Sequence, residues 1–369
     1  MTDYVEMTPE LFGIFERNSL QQSDPLEAIA AQPPQYDVAD VERVVSEQYG
    51  LHGHLELLVS ERDQNFRLTT RDKQRYVVKI ANAAEAGITT EFQIQALLHM
   101  QKNNCPVAIP QIVPTLDSAL ATRIQGKECS NVVRVVSYVA GRPFAPGEAG
   151  RRIVAELGSC LAEIDTALRD FEHPGDHQSL LWDMQRASDL RVLMSHVGND
   201  QLRALLQTCL DDFEKNAAPI LPKLRSQVIH NDLNPENVLV TEGDPVAIAG
   251  VIDFGDMIRA PLIIDVAIAA AYLHADAADP VALISAFVGG YAAITRLEAT
   301  EIDLLYELVR MRLATTLIIL NWRLAARSED DAYTIKSVQG GRRTERFLAR
   351  INAIPAAEFA RRIRQQCGC

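Results

Sequence analysis

The sequence lacks C-x-x-C pairs and any apolar stretch long enough to cross a membrane. Its six cysteines are scattered over 369 residues, which is typical of reduced thiols rather than of a disulfide framework. The terminal Cys367 and Cys369 lack the further ligands of a closed zinc site, so we expect no metal there. The most apolar segment, residues 261–273, is too short for a membrane span and contains Asp265, which predicts a buried helix.

A basic surplus is also absent. The chain has 36 Lys and Arg against 49 Asp and Glu, a net charge of -13, which argues against binding along a phosphate backbone and suits cationic ligands. The start, MTDYVEMTPELFG, has early acids and no apolar run, so we expect no secretory signal. The prediction is a cytoplasmic protein with neither nucleic acid nor membrane as a partner.

The length and residue pattern predict two lobes around a shared cleft. We expect a leader at residues 1–36, a first lobe at 37–141 and a second lobe at 142–369. Asp37 is placed to cap a helix at residues 38–49, and LELLVS, NFRLTT and RYVVKI predict three antiparallel strands. After Gly150 the pattern is mostly helical, including residues 178–197, except for the strand-like QVIHNDLNPENVLV and PVAIAGVIDFGD.

These two strand-like pieces carry the densest polar residues. Asp232 and Asn237 lie five residues apart in HNDLNPEN, and Asp253 begins the later DFG. Phosphoryl transfer needs a carboxylate to deprotonate the attacking hydroxyl and oxygen ligands to hold Mg²⁺ on nucleotide phosphates. The spacing supplies both, and the alternative is two ordinary Asx turns with a strand end.

Upstream, Lys79 closes the strand RYVVKI, where a kinase lysine would meet the nucleotide phosphates. The preceding turn, SERDQN, has no glycine, but Ser60 and Asn65 could add phosphate donors. Each feature has an alternative: a surface lysine and a solvated hairpin.

The motifs HNDLNPENVLV, GVIDFGDM, SERDQNF and YVVKI together resemble the aminoglycoside phosphotransferase/choline kinase superfamily. With RVVSYVAGRPF and LLWDM, they are most similar to the hydroxylysine kinase branch and to the kinase-like domain fused to some class III aminotransferases. The resemblance implies an α+β, protein-kinase-like fold. Its small antiparallel-sheet lobe would bind nucleotide, and its mostly helical lobe would hold the catalytic and substrate-binding residues.

The resemblance also implies roles for single residues. Asp232 would be the base and His230 would brace its loop. The Mg²⁺ ligands would be Asn237 and Asp253. Lys79 would contact the phosphates of ATP or GTP, and the purine would bind the hinge formed by Ser137, Tyr138 and Val139. One departure concerns the acidic partner of Lys79, because either Gln93 or Glu91 could take that place and the sequence leaves both open.

For the acceptor, the resemblance implies 5-hydroxylysine or a similar amino alcohol, with Asp256 and Asp183 near its ammonium group. A capping role is the alternative for Asp183. Other acceptors left open are homoserine, choline, ethanolamine and an aminoglycoside, and a nucleotide-binding pseudokinase is the alternative of another class. Because the sequence stops at Cys369, we expect any pyridoxal-phosphate-dependent phospho-lyase partner to be a separate protein.

Overall fold

The computed structural model describes residues 33–60, 62–126, 129–148, 150–273, 279–325 and 332–368. Most of the predicted leader, and Cys369 of the terminal Cys-Gly-Cys, lie outside these residues. The chain forms two compact units. The first comprises Met1–Ala140 with Phe171–Ser179, and the second comprises Gly141–Asp170 with Leu180–Cys369.

The first unit contains an antiparallel sheet, and its described residues also form two helices. The elements are α1 Val38–Tyr49, β1 Gly53–Leu58, β2 Gln64–Thr70, β3 Arg75–Ile80, α2 Gly87–Lys102, β4 Ile112–Val113, β5 Thr122–Gln125 and β6 Ser130–Ser137. The sheet has six strands in the order β1-β2-β3-β6-β4, with β5 paired to β6. The predicted helix and the three predicted strands are present. Asp37 stands at the N-cap of α1, but its side chain makes no capping hydrogen bond.

Alternation along the strands separates an apolar face from a polar row. Phe66, Val78 and Val135 belong to one buried cluster, which α1 also joins. Because side chains alternate between faces, the residues beside them point to the opposite face. Asn65 pairs with Lys79, and Lys79 pairs with Arg134 across β2, β3 and β6. The register therefore places these three polar side chains in one row.

The second unit is mostly helical and has two small antiparallel sheets, ordered β10-β9-β7 and β11-β8. Its helices are α3 Arg151–Leu168, α4 Asp200–Asn216, α5 Leu262–Ala271, α6 Pro280–Ala292, α7 Ala299–Ala325, α8 Ala332–Asn352 and α9 Ala356–Cys367. Its strands are β7 Arg142–Pro143, β8 Ser226–Ile229, β9 Val238–Val240, β10 Ile248–Val251 and β11 Ile258–Pro261. Short 3-10 helices lie at Pro146–Glu148, Met184–His196, Leu221–Lys223 and Phe254–Asp256.

Two predictions for this unit had different outcomes. Every residue of α5 is buried, which confirms the predicted buried helix. The helix predicted at residues 178–197 is wrong in type, because the segment forms turns and the 3-10 helix Met184–His196. Arg186 there leaves helical geometry, with φ -112° and ψ 17°, so regular α-helical hydrogen bonding cannot continue through it. No helix in the described ranges is both long and apolar enough to cross a membrane.

Helices α3 and α6 pack closely because each has a glycine at their crossing. A Cβ at Gly158 would lie 2.0 Å from the Phe287 carbonyl oxygen, and one at Gly290 would lie 1.9 Å from that of Ala155. Neither approach leaves space for a side chain. This close crossing brings Tyr291, at the end of α6, to Asp165 on α3.

Candidate active site

The loop between β8 and β9 holds Asp232 by side-chain amides. Asp232 Oδ2 accepts hydrogen bonds from Asn234 Nδ2 at 2.9 Å and from Asn237 Nδ2 at 3.0 Å. Asn237 Nδ2 also donates to the Asp232 carbonyl at 2.9 Å. Because the side-chain nitrogen of Asn237 donates to Asp232, the side-chain oxygen of Asn237 is the atom left to bind a cation.

Electrostatics around Asp232 are dominated by other acids. Removal from water, together with the carboxylates of Asp256 and Asp253, raises the pKa of Asp232 to about 8, although Arg312 opposes this shift. Arg312 Nη2 lies 3.5 Å from Asp232 Oδ1 and donates to the Tyr272 hydroxyl at 3.0 Å. Three acids around one buried arginine leave an excess of negative charge in this site, which suits a divalent cation or an ammonium group.

Asp265 fixes the backbone of the same loop. Its two carboxylate oxygens accept the N–H groups of His230 at 2.8 Å and Asn231 at 2.9 Å. Asn231 has a φ of 65°, a left-handed conformation that Asn tolerates better than most residues. Its side-chain nitrogen donates to the Asp256 carbonyl at 3.0 Å. Asp265 thus orients the residue that precedes Asp232.

A second buried acid lies against Asp265. Asp165 Oδ2 accepts the Tyr291 hydroxyl at 2.6 Å, and Asp165 Oδ1 is buried without a donor in the described part of the chain. Burial and the carboxylate of Asp265 raise the pKa of Asp165 well above its usual range, and burial also raises that of Asp265. The pair therefore holds a proton to higher pH than exposed carboxyl groups do, because two adjacent buried carboxylates resist ionising together.

His230 connects the Asp232 loop to the DFG segment. Its ring meets Phe254 edge-on at 4.7 Å between centroids, its Nε2 lies 3.3 Å from the Ile252 carbonyl oxygen, and its Nδ1 accepts the N–H of Asp232 at 3.3 Å. Asp253 follows with a φ of 62°. These contacts join the Asp232 loop to the DFG segment, and the bracing role implied by the resemblance stays a prediction.

The polar row of the first unit contains an arginine that the sequence reasoning missed. Arg134 is buried, and its Nη2 donates to Oε1 of Gln93 on α2. Its Nη1 and the Oδ1 of Asn65 are buried with no hydrogen-bond partner among the described residues. A buried charge is stable only when its donors are satisfied, so this row is suited to receive an anionic ligand beside Lys79.

The acids near this row include one that the sequence reasoning did not consider. Glu85, just before α2, accepts the Thr90 hydroxyl at 2.6 Å. Burial and Asp63 raise the pKa of Glu85, and Arg134 opposes that shift. Glu91 Oε1 is 4.0 Å from His173 Nε2. Whether Gln93 or Glu91 also partners Lys79 remains a prediction.

The predicted hinge and phosphate turn are only partly available to a ligand. The N–H of Ser137 donates to the Gln111 carbonyl at 2.8 Å, and that of Tyr138 donates to the Arg75 carbonyl at 3.1 Å. For Val139, no acceptor of the N–H is found in the described ranges.

In the phosphate turn, Asn65 belongs to strand β2 rather than to the turn itself. Ser60 is partly exposed. Neither contradicts a phosphate contact, which stays a prediction for both.

The two predicted substrate acids have different surroundings. Asp183 Oδ1 accepts the N–H of Gln185 at 2.9 Å, so it caps the 3-10 helix, as its alternative interpretation expected. Burial raises the pKa of Asp183. Asp256 is buried beside Asp232, which is the better position for a substrate ammonium group.

Sequence signals for the missed residues were present but weak. Arg134 interrupts the apolar strand NVVRVVS, and Arg312 lies in the apolar helix stretch MRLATTLII. A charge inside an apolar run is unusual unless it is paired. Sequence alone does not supply the partner, since Arg312 meets Asp232 across 80 positions.

Comparisons with known proteins extend over most of the chain. The sequence profile described as phosphotransferase enzyme family matches residues 54–302. A hydroxylysine kinase of Danio rerio is 25% identical over 346 residues, which cover 89% of this chain and 95% of the relative.

Among solved structures, an aminopropanol kinase associated with a microcompartment has a TM-score of 0.68 at 17% identity, covering 86% of this chain and 98% of its own. An amicoumacin kinase in complex with AMP-PNP, Ca²⁺ and amicoumacin has a TM-score of 0.65 at 14% identity, covering 87% of this chain and 95% of its own. These two likenesses confirm the kinase-like α+β fold. The match to the family profile spans both the polar row and the Asp232 loop, and the chain therefore belongs to the phosphotransferase enzyme family, as a small-molecule kinase whose acceptor is a hydroxyl group.

Proposed function

We propose that the protein transfers the γ-phosphoryl group of ATP or GTP to the hydroxyl of an amino alcohol, with 5-hydroxylysine as the first candidate. The observation that carries this proposal is Asp232, held by two side-chain amides beside Asp253, Asp256 and Arg312. One carboxylate is thus oriented for proton removal while others remain for a cation and an ammonium group.

Asp232 acts as the general base. Its pKa of about 8 lies close to neutral pH, where a base both accepts a proton readily and is partly ionised. The amides of Asn234 and Asn237 hold Oδ2, which leaves Oδ1, on the side of Arg312, as the second oxygen. The carboxylate takes the hydroxyl proton as the acceptor oxygen attacks the γ-phosphorus, and the bond from this phosphorus to the β-phosphate oxygen breaks to release ADP or GDP.

Asn237 and Asp253 are the ligands that we assign to Mg²⁺. The donor set fits the ion, since Mg²⁺ prefers oxygen ligands and is commonly held by one or two protein groups together with phosphates. The acids that raise the pKa of Asp232 also show excess negative charge for a cation to neutralise. When bound, Mg²⁺ offsets the negative charge that develops on the phosphates.

The nucleotide contacts lie in the first unit. Lys79 and Nη1 of Arg134, which has no partner among the described residues, supply positive charge for phosphates. The N–H of Val139 is the hinge donor that we assign to the purine. The amicoumacin kinase, similar in fold, was solved with AMP-PNP, which supports nucleotide as the donor.

For the acceptor, Asp256 is the residue that we assign to the substrate ammonium group, since it is buried next to the base. The hydroxylysine kinases that this chain resembles and the aminopropanol kinase are both named for hydroxyl-bearing amines. We also propose that a pyridoxal-phosphate-dependent phospho-lyase consumes the phosphate ester formed.

The test is nucleotide consumption by the purified full chain with Mg²⁺, using ATP and GTP separately. The acceptors are 5-hydroxylysine, homoserine, choline, ethanolamine and an aminoglycoside. We expect 5-hydroxylysine to give the highest kcat/KM, and the better nucleotide identifies the donor. A higher value for another acceptor moves the assignment to that compound. Nucleotide binding without turnover on any acceptor would instead favour the pseudokinase.

A further inference from the structure

The second unit contains a pocket of about 350 Å³ that is lined by none of the residues assigned above to catalysis, metal or substrate. Its lining is rich in cationic and hydroxyl groups, even though the chain as a whole carries a net charge of -13. The polar residues that line it include Arg169, Arg225, Arg296, Thr166, Thr295 and Asp165. We call it the arginine pocket.

One of its arginines is rigidly held. Arg225 Nε and Nη2 donate to the two carboxylate oxygens of Glu301 at 2.7 and 2.8 Å, and Glu301 is fully buried. Arg225 Nη2 also donates to the Arg296 carbonyl at 2.7 Å. This bidentate pair fixes the guanidinium plane before any ligand arrives, which lowers the entropic cost of binding.

The other two arginines carry uncompensated charge. Arg169 and Arg296 are exposed, and the part of the chain that the structure describes contains no ion pair for either side chain. Glu301 balances Arg225, so two positive charges remain. Asp165 also lines the pocket, but it adds little negative charge because burial and Asp265 raise its pKa well above the usual range.

Hydroxyl donors complete the lining. The Thr166 and Thr295 hydroxyl oxygens lie 3.4 Å apart, a weak mutual contact that an incoming anion could replace with two shorter hydrogen bonds. Guanidinium forks together with hydroxyl groups match the several acceptor oxygens of a phosphate. A monocarboxylate offers a single charge, whereas a phosphate monoester carries roughly -1.5 to -2 at neutral pH.

We propose that the arginine pocket binds a small phosphate monoester as a dianion. Its two uncompensated arginine charges match the charge of a phosphate monoester group, and its volume of about 350 Å³ accommodates such a group with a short aliphatic chain. The phosphate-binding chemistry stands on the pocket itself. The choice of a monoester as its natural occupant rests on the proposed function, whose product belongs to that class.

The test is calorimetric titration of the full chain with O-phosphoethanolamine and, separately, with inorganic phosphate, in the absence of nucleotide and Mg²⁺. The pocket variant is Arg169→Gln/Arg296→Gln. The matched control is Arg342→Gln/Arg343→Gln, which removes two exposed arginines from α8. Lys79→Met reports any binding of phosphate at the nucleotide site.

We expect O-phosphoethanolamine to bind the wild type, the control and Lys79→Met with equal affinity. The pocket variant should bind it at least about tenfold more weakly, because it loses one to two charge-assisted contacts. Tighter binding of inorganic phosphate than of the ester would overturn the monoester assignment. Absence of binding, equal binding by the pocket variant, or loss only in Lys79→Met would overturn the site. None of these results depends on turnover, so a failure of the proposed kinase reaction is separately visible.

Discussion

The Asp232 loop of the second unit and the polar row of the first unit are built differently. In the loop, protein groups hold the reactive carboxylate and its neighbouring backbone, through Asn237, Asn234 and Asp265. In the row, Arg134 Nη1 and Asn65 Oδ1 are buried without partners among the described residues.

The difference indicates separate tasks. Groups that are already held in place favour the chemical step, because their orientation costs nothing further at the moment of reaction. Groups left unsatisfied gain most when a ligand completes their hydrogen bonds. We therefore expect variants of the loop to lower kcat and variants of the row to weaken nucleotide binding.

The largest effect is expected from Asp232→Asn. Loss of the general base should lower kcat by roughly 10²- to 10⁴-fold, while the nucleotide KM stays unchanged because the row is intact. Steady-state kinetics with the best acceptor provide the measurement, and the exposed Asp170→Asn serves as the control. Wild-type turnover by the variant would refute Asp232 as the base.

Next, Asp265→Asn should lower kcat by about 10- to 100-fold, since a small misplacement of a reacting group is costly. One of the two backbone N–H groups that Asp265 accepts would face an amide N–H instead. The measurement compares kcat and both KM values at matched stability, checked by thermal unfolding. A change confined to the nucleotide KM would break the proposed division of tasks.

In the row, Arg134→Met should raise the nucleotide KM by about 10- to 100-fold, the loss of a charge-assisted contact, with little change in kcat. Arg123→Met, on the exposed part of neighbouring β5, controls for the loss of a surface charge from the same sheet. If kcat falls while nucleotide affinity is kept, the row has a different role.

Gln93→Glu also tests whether the charge of Arg134 contributes to nucleotide binding. Gln93 holds Arg134 without neutralising it, so a carboxylate of the same size should weaken nucleotide binding by about fivefold, equivalent to roughly 1 kcal/mol. The readout is the equilibrium Kd for a non-hydrolysable nucleotide. Tighter nucleotide binding by the variant would mean that Arg134 needs an acidic partner at position 93 rather than an uncompensated charge.

The last prediction concerns stability rather than activity. The folded state keeps the proton of the Asp165–Asp265 pair at pH values where unfolded carboxyl groups, with a pKa near about 4, have lost theirs. Wild-type stability contributed by this pair therefore falls as pH rises from about 4, by up to roughly 1.4 kcal/mol per pH unit.

Asp165→Asn removes that dependence while keeping a neutral donor next to Asp265. Urea unfolding at pH 5 and pH 8 should show the variant gaining stability relative to wild type at the higher pH. Tyr291, Arg225 and His230 also influence the pair electrostatically, so the comparison uses the two proteins at each pH. A difference in unfolding free energy that does not change with pH would exclude a proton held by this pair in the folded state.

The contrast between local and long-range contacts also explains which residues could be predicted from the sequence. Asp232 and Asn237 were predicted together because they lie five positions apart in one motif. In the structure, hydrogen bonds join the two residues. Strands β1 to β3 were predicted because alternation and polar turns are local signals.

Longer-range partners were not predictable in that way. Tyr291 meets Asp165 across 126 positions, and only the close crossing of α3 and α6 brings them together. Arg134 was missed because its partner Gln93 was considered only for Lys79. The segment 178–197 was misread because its apolar spacing does not distinguish a 3-10 helix from an α-helix.

The most direct test of the account is ³¹P NMR of the purified chain incubated with Mg²⁺, ATP or GTP, and 5-hydroxylysine. We predict a new phosphate-monoester signal whose phosphorus couples to the proton of the hydroxyl-bearing carbon, growing as the γ-phosphate signal falls. Release of inorganic phosphate alone, or no change in the nucleotide signals, would contradict phosphoryl transfer to this acceptor.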